Sequence, residues 1–157
     1  MDSDYHDLCA ILQDKYVMYA YEHSFSDDEV KNWYEKNRNR YHEHGFGLWA
    51  VIHKETNDFL GQCGLTIQDI HGEKYLEIGY LFKKNHWHKG YAVEAASGCK
   101  KYAFEILKAD KVYSIIRENN IASQNVAKRI GMKKVGETTK HYYNIDMLHY
   151  IFEIENQ

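Results

Sequence analysis

Residues 85–92 read Asn85-His86-Trp87-His88-Lys89-Gly90-Tyr91-Ala92. They separate a strand-like segment, Lys74 to Phe82, from a helical one, Gly90 to Leu107, in which Ala92, Ala95, Ala96, Cys99, Ala103, Ile106 and Leu107 form one apolar face. A strand, a loop holding a glycine and a small residue, and then a helix N-terminus is a construction suited to binding phosphate. The first-turn N–H groups have no intrahelical partner, the helix dipole favours an anion, and Gly90 and Ala92 let a ligand approach the backbone. The G-x-x-x-x-G-K-[ST] order of a Walker loop is absent, and one glycine does not make the dinucleotide G-x-G-x-x-G. An ordinary strand-to-helix turn fits the same eight residues, so the segment alone leaves both readings open.

Outward from the loop, the pattern predicts a mixed α/β chain. Leu8, Ile11 and Leu12 mark a short helix over about residues 4–14. Ser26-Asp27-Asp28-Glu29 has capping-box spacing ahead of Val30, Trp33, Tyr34, Asn37 and Tyr41, which predicts an amphipathic helix ending near Gly45. Phe46 to His53 and Phe59 to Ile67 flank the polar cluster Lys54-Glu55-Thr56-Asn57-Asp58 and read as an antiparallel hairpin. Beyond the long helix come strand Lys111 to Arg117, a short helix from Ala122 to Ile130, and strands Lys133 to Lys140 and Ile145 to Ile154. The order is antiparallel strands, one β-α-β crossover, then a terminal hairpin.

At 157 residues the chain is expected to form one domain, 1–157, with a real core. It contains no proline where average usage of about 5% predicts roughly eight, and it contains fourteen tyrosines. Pro-rich linkers and PxxP ligands are therefore excluded. No apolar run approaches the roughly 18 residues of a membrane span, and Met1-Asp2-Ser3-Asp4 lacks the order of a secretory signal, so a cytoplasmic protein without membrane partners is expected. Cys9, Cys63 and Cys99 are odd in number and widely spaced, which favours buried reduced thiols over a disulfide framework or zinc ribbon. Net charge is −3, which disfavours a nucleic-acid partner. Residues 1–45 carry ten acids against five bases, whereas residues 83–134 carry twelve bases against four acids. That basic middle suits either a polyanionic small ligand or a solvated lysine face.

Taken together, the motifs resemble the GNAT superfamily of acetyl-CoA-dependent N-acetyltransferases, especially its ribosomal-protein alanine and serine acetyltransferases and spermidine acetyltransferases. The resemblance rests on Glu77-Ile78-Gly79-Tyr80, on Trp87-His88-Lys89-Gly90-Tyr91-Ala92, and on Asn120-Ile121-Ala122-Ser123 followed by Arg129-Ile130-Gly131-Met132. Gly45-Phe46-Gly47-Leu48-Trp49-Ala50-Val51 and Gly61-Gln62-Cys63-Gly64-Leu65 extend it to about residues 20–155. It implies a mostly antiparallel central sheet with helices on both faces. The family's opening strand has no counterpart here, which leaves an edge open to a partner chain and suggests a homodimer.

The resemblance also implies roles. His88, Lys89, Gly90, Tyr91 and Ala92 would hold the CoA pyrophosphate through backbone N–H groups, with Trp87 in place of the usual Gln or Arg. The main chain of Tyr80, Leu81 and Phe82 would bind the pantetheine arm like an added strand. Asn120 would contact the cofactor and order the following helix, with Asn125 a secondary polar contact. The tyrosine that many members use to protonate the CoA thiolate is replaced by Ala127, which leaves Ser123 as the substitute or as a helix N-cap. The strand Ser114-Ile115-Ile116-Arg117 lacks the glutamate often placed there. Glu77 is then the expected base, unless it pairs with a surface lysine. His141, beside Tyr142 and Tyr143 in the terminal hairpin loop, is a weaker candidate.

Two further motifs carry less. His86-x-His88 and His42-x-His44 have no third ligand at metal spacing, so no metal is expected. The tyrosines form no single stripe for stacking nucleic acid. The expected function is acetyl transfer from acetyl-CoA to a primary amine, such as a protein N-terminus, a polyamine or another small amine, by direct attack in a ternary complex. The alternative is a catalytically degraded acyl-CoA-binding sensor or interaction module, motivated by Ala127 and the missing strand base.

Overall fold

The computed structural model describes residues 2–157. Helix α1 covers Tyr5–Leu12 and α2 covers Asp27–His44. Ser26 starts α2 as its spacing predicts. The Glu29 N–H donates to the Ser26 hydroxyl at 3.3 Å, and the Ser26 N–H donates to the Glu29 carboxylate at 2.8 Å. Gly45 ends α2 at φ 75°, a left-handed conformation that glycine adopts at little cost. Strands β1 (Leu48–Ile52), β2 (Phe59–Ile70) and β3 (Glu73–Phe82) form an antiparallel meander. Helix α3 (Tyr91–Glu105), strand β4 (Lys111–Arg117) and helix α4 (Ile121–Arg129) follow, then the hairpin of β5 (Lys133–Tyr142) and β6 (Ile145–Glu155).

The sheet order is β1-β2-β3-β4-β6-β5, and β3–β4 is its parallel pair. Helices cover both faces because the strands alternate. On β2, Cys63 and Leu65 turn to one face and pack with Ala96, Cys99 and Ala103 of α3 and Ala127 of α4. Gln62 turns to the other face, where its amide oxygen accepts from the Trp33 indole of α2 at 3.4 Å. Leu8, Ile11, Leu12 and Val30 form a second cluster there with Phe59.

Two features depart from the sequence expectation. The hairpin turn is Tyr143-Asn144, both at positive φ (51° and 59°), so His141 and Tyr142 belong to β5 rather than to a loop. Asn37 and Tyr41, read as part of the apolar stripe of α2, instead close the sheet edge. Gly47 bonds inward to Leu65, so the polar groups of Leu48 face out. The Asn37 amide takes both of them, accepting from Leu48 N–H at 2.8 Å and donating to Leu48 C=O at 2.7 Å, and Tyr41 donates to the same carbonyl. The open edge therefore starts beyond Leu48, at the exposed Ala50.

Strands β3 and β4 separate soon after they meet. Their register pairs Glu77 with Tyr113, and at the next positions side chains replace the ladder. The Ile115 N–H donates to Glu77 Oε2 at 2.9 Å, and the Ser114 hydroxyl donates to the Ile78 carbonyl at 2.9 Å. Past these two substitutes the strands splay apart. Lys83 N–H bonds to Leu60 on β2, so odd-numbered residues of β3 direct their backbone toward β2 and even-numbered ones toward the gap.

Candidate active site

Alternation decides which main-chain groups are on offer in the gap. Tyr80 directs its N–H and C=O into it. Leu81 is paired with Gln62, so its polar groups are used by β2. The Phe82 carbonyl faces the gap but accepts from the Trp87 indole at 3.0 Å. Of the three residues expected to present main chain to a ligand, Tyr80 presents both groups, Phe82 only its N–H, and Leu81 neither. The sequence shows strand alternation but not its phase against two different neighbours.

Two cavities meet at this gap. One, of about 240 Å³, is lined by the loop before α3, the start of α3 and one side of α4. The other, of about 330 Å³, is lined by α2, β2, β3 and the β5–β6 hairpin. Tyr80, Leu81, Asn120 and Ser123 border both. The Tyr80 hydroxyl donates to the Ser123 carbonyl at 2.7 Å, tying together two residues that border both cavities.

The smaller cavity reaches the N-terminus of α3. Gly90, the N-cap of α3, has φ 83° and no side chain caps the helix, so its first-turn N–H groups are left for another acceptor. His88 is also left-handed at φ 60°, and this turns the loop back toward the helix start. His88, Gly90, Tyr91 and Ala92 line the cavity together with Phe82 and Asn125. Lys89 is exposed and does not line it. Arg129, from the last turn of α4, does. Sequence reasoning passed over it as part of a motif flank, although the basic surplus of residues 83–134 was the available signal.

Asn120 caps α4. Its amide oxygen accepts from the Ser123 N–H at 3.2 Å and from the Tyr19 hydroxyl at 2.9 Å. The N-cap role considered for Ser123 therefore belongs to Asn120. The Ser123 hydroxyl has no hydrogen-bond partner among the described residues. Ala127 is fully buried in the core cluster and borders neither cavity, so a tyrosine there would need a rebuilt core.

Glu77 lines the larger cavity and forms no ion pair with a surface lysine among the described residues. Burial raises its pKa above the ordinary carboxylate value, opposed by the charge of Lys140, the Ile115 N–H, the charge of Arg40 and the Thr66 hydroxyl. A carboxyl so placed is a better base near neutral pH than an exposed one. His141 lies outside both cavities and pairs with Asp146 at 2.7 Å. The histidine in the cavity wall is His149, which sequence reasoning missed because nothing local marks it. Its Nδ1 donates to the Met147 carbonyl at 2.9 Å, which leaves Nε2 as an acceptor, and burial lowers its pKa and keeps the ring neutral. Among the described residues no group of three or more His, Cys, Asp or Glu could hold a metal, and no helix is long and apolar enough to cross a membrane.

Comparison with known proteins agrees with this geometry. A family model described as an acetyltransferase (GNAT) domain matches residues 1–133. The chain is 42% identical over 104 residues to the uncharacterized protein YkkB of Bacillus subtilis, a match spanning 66% of this chain and 59% of that protein. It is 29% identical over 120 residues to the uncharacterized N-acetyltransferase YnaD of the same organism, spanning 76% of this chain and 67% of YnaD. In structure it is similar to a GNAT-family acetyltransferase from Bacillus anthracis (TM-score 0.81, 26% identity, 99% of this chain and 90% of that one). The fold is shared with the spermidine N-acetyltransferase of Vibrio cholerae, solved with CoA and spermine (TM-score 0.78, 18% identity, 99% and 91% covered). With a family model over most of its length and an acetyltransferase fold throughout, the chain, which spans 59% of YkkB, belongs to the GNAT acetyltransferase family.

Proposed function

We propose that the protein transfers the acetyl group of acetyl-CoA to a primary amine by direct attack within a ternary complex. One observation carries this reading: two cavities share Tyr80 and Ser123 in their walls, with an uncapped helix N-terminus lining one and the half-buried Glu77 carboxylate lining the other. The residues present fit CoA. The first-turn N–H groups of α3, with Arg129 beside them, suit a pyrophosphate, and the free main chain of Tyr80 suits the amides of the pantetheine arm. Acetyl-CoA supplies a thioester carbonyl as electrophile and a thiolate as leaving group.

The chain does the rest. Asn120 holds the start of α4 in place and so fixes Ser123 in the shared wall. Glu77 takes the proton of the acceptor ammonium, directly or through one water, because its carboxyl lines the acceptor cavity and is tuned toward neutrality by burial. Ser123, whose hydroxyl is unpaired, relays to the departing sulfur the second proton, which the attacking nitrogen sheds as the amide forms, and so ends as a hydroxyl again. Holding both partners against one shared wall contributes through orientation as well as proton transfer.

Two measurements test this reading. Thiol release from acetyl-CoA is followed across a panel of amines, and CoA binding is measured by titration calorimetry. Turnover with at least one amine is expected; CoA binding without thiol release from any of them would instead support the binding-module reading. Replacing Arg129 with alanine is expected to weaken CoA binding about tenfold at low salt and less at high salt, as a phosphate contact should.

A further inference from the structure

The acceptor cavity carries a charge pattern that acetyl transfer does not itself require. Lys36 and Arg40 stand one turn apart on α2 and line one side, and Lys140 of β5 and Arg117 of β4 also line the cavity. Glu77 is the one carboxylate in the lining. Lys36, Arg40 and Lys140 form no salt bridge among the described residues, and of the three Arg40 and Lys140 are near enough for their charges to act on Glu77. Arg117 is paired with Glu22 through Nη2 and donates to the Ala20 carbonyl through Nη1, but its Nε is buried without a hydrogen-bond partner. Among the described residues the other such buried atom is the Nε2 of Gln62, a residue only 5% exposed in the same wall. A buried donor left unsatisfied costs about 1–3 kcal/mol, and like charges sharing a small cavity repel.

An acceptor amine is a cation before it loses its proton, so a cavity built for a polyamine would be expected to be lined with carboxylates. This one is lined with cations and unpaired donors around a single carboxylate. Its volume of about 330 Å³ suits a small molecule. We infer that the acceptor is a small primary amine carrying an anionic group, a carboxylate or a phosphate, with the amine directed to Glu77 and the anion held by Arg40, Lys140 and Lys36. This rests on the acetyltransfer reading above and narrows it away from polyamines.

The test measures initial rates of thiol release with glycine, β-alanine and γ-aminobutyrate beside their amides, with O-phosphoethanolamine, and with spermidine. At least one anion-bearing amine is expected to exceed its amide, and spermidine, about ten- to hundredfold in kcat/KM, the worth of a charge-assisted contact. O-phosphoethanolamine against the amino acids decides between phosphate and carboxylate. Arg40→Met and Lys140→Met, which keep an apolar stem, are expected to shrink that preference at least tenfold, mainly through KM. An amide or spermidine turned over as well as the anion-bearing amines would overturn the inference, as would a preference unchanged in both variants. If no acceptor turns over, thermal shift of the CoA-loaded protein decides. Stabilisation by an amino acid and not its amide supports the inference, and equal responses overturn it. Absence of CoA binding in calorimetry would sink the acetyltransfer reading and this one together, whereas CoA binding with spermidine preferred sinks only the acceptor class.

Discussion

Glu77→Gln is expected to lower kcat/KM for amine acetylation by about 10²–10³-fold, the size of effect that removing a positioned general base produces. The substitution isolates chemistry from structure. Glutamine keeps an oxygen that can accept from the Ile115 N–H, so the bond that ends the β3–β4 ladder survives. It also resembles the protonated form that burial favours. A carboxyl whose folded pKa is raised contributes stability below its unfolded pKa and loses it as pH rises through the folded one. Once ionised, the wild-type side chain thus carries a cost that glutamine avoids. The thermal midpoint of the variant at pH 7 should not fall appreciably while activity does. In the wild type, kcat/KM should rise with pH along an acid limb displaced above the ordinary carboxylate range, and that limb should vanish in the variant. Full activity in Glu77→Gln would leave Glu77 with a structural role alone.

Gly64→Ala is expected to cost about 3 kcal/mol or more, enough to unfold much of the protein at 37 °C. Gly64 lies on β2 opposite Leu48. A Cβ there would fall on the Gly47 carbonyl oxygen and within 2.7 Å of the Leu48 Cα. Both are backbone atoms at the start of the edge strand, where Asn37 from α2 holds Leu48 and the Leu65 N–H holds the Gly47 carbonyl, so no side chain can swing away to make room. Gly98 is the matched control. It lies inside α3 with nothing within 4 Å of a built Cβ, so Gly98→Ala should stabilise by about 0.5–1 kcal/mol through helix propensity. Urea unfolding of the three proteins followed by circular dichroism measures both effects, and equal midpoints for Gly64→Ala and wild type would contradict the first.

What was legible in the sequence was local. Periods of 3.6 and 2, the capping box at Ser26, and the glycine punctuation at Gly45 and Gly90 located the four α-helices and six strands described above within a few residues, because each depends on neighbours one or two turns away. The ordered motifs from Glu77 to Met132 carried the family, and nine of the ten residues they mark for cofactor contact line the smaller cavity. Lys89 is the exception.

Tertiary structure alone decided the rest. Glu77 reaches Ile115 across 38 residues of chain and Ser114 reaches Ile78 across 36, so the gap between β3 and β4 depends on a parallel register set by the α3 crossover. That register determines which main-chain groups of β3 are free, and leaves Tyr80 as the residue offering both. The same holds for charge. Residues 1–45 are acidic as a stretch of sequence, yet Lys36 and Arg40 are the charged members of α2 that line the larger cavity. A net charge is a sum along the chain, while a ligand meets only the side chains that folding turns toward it.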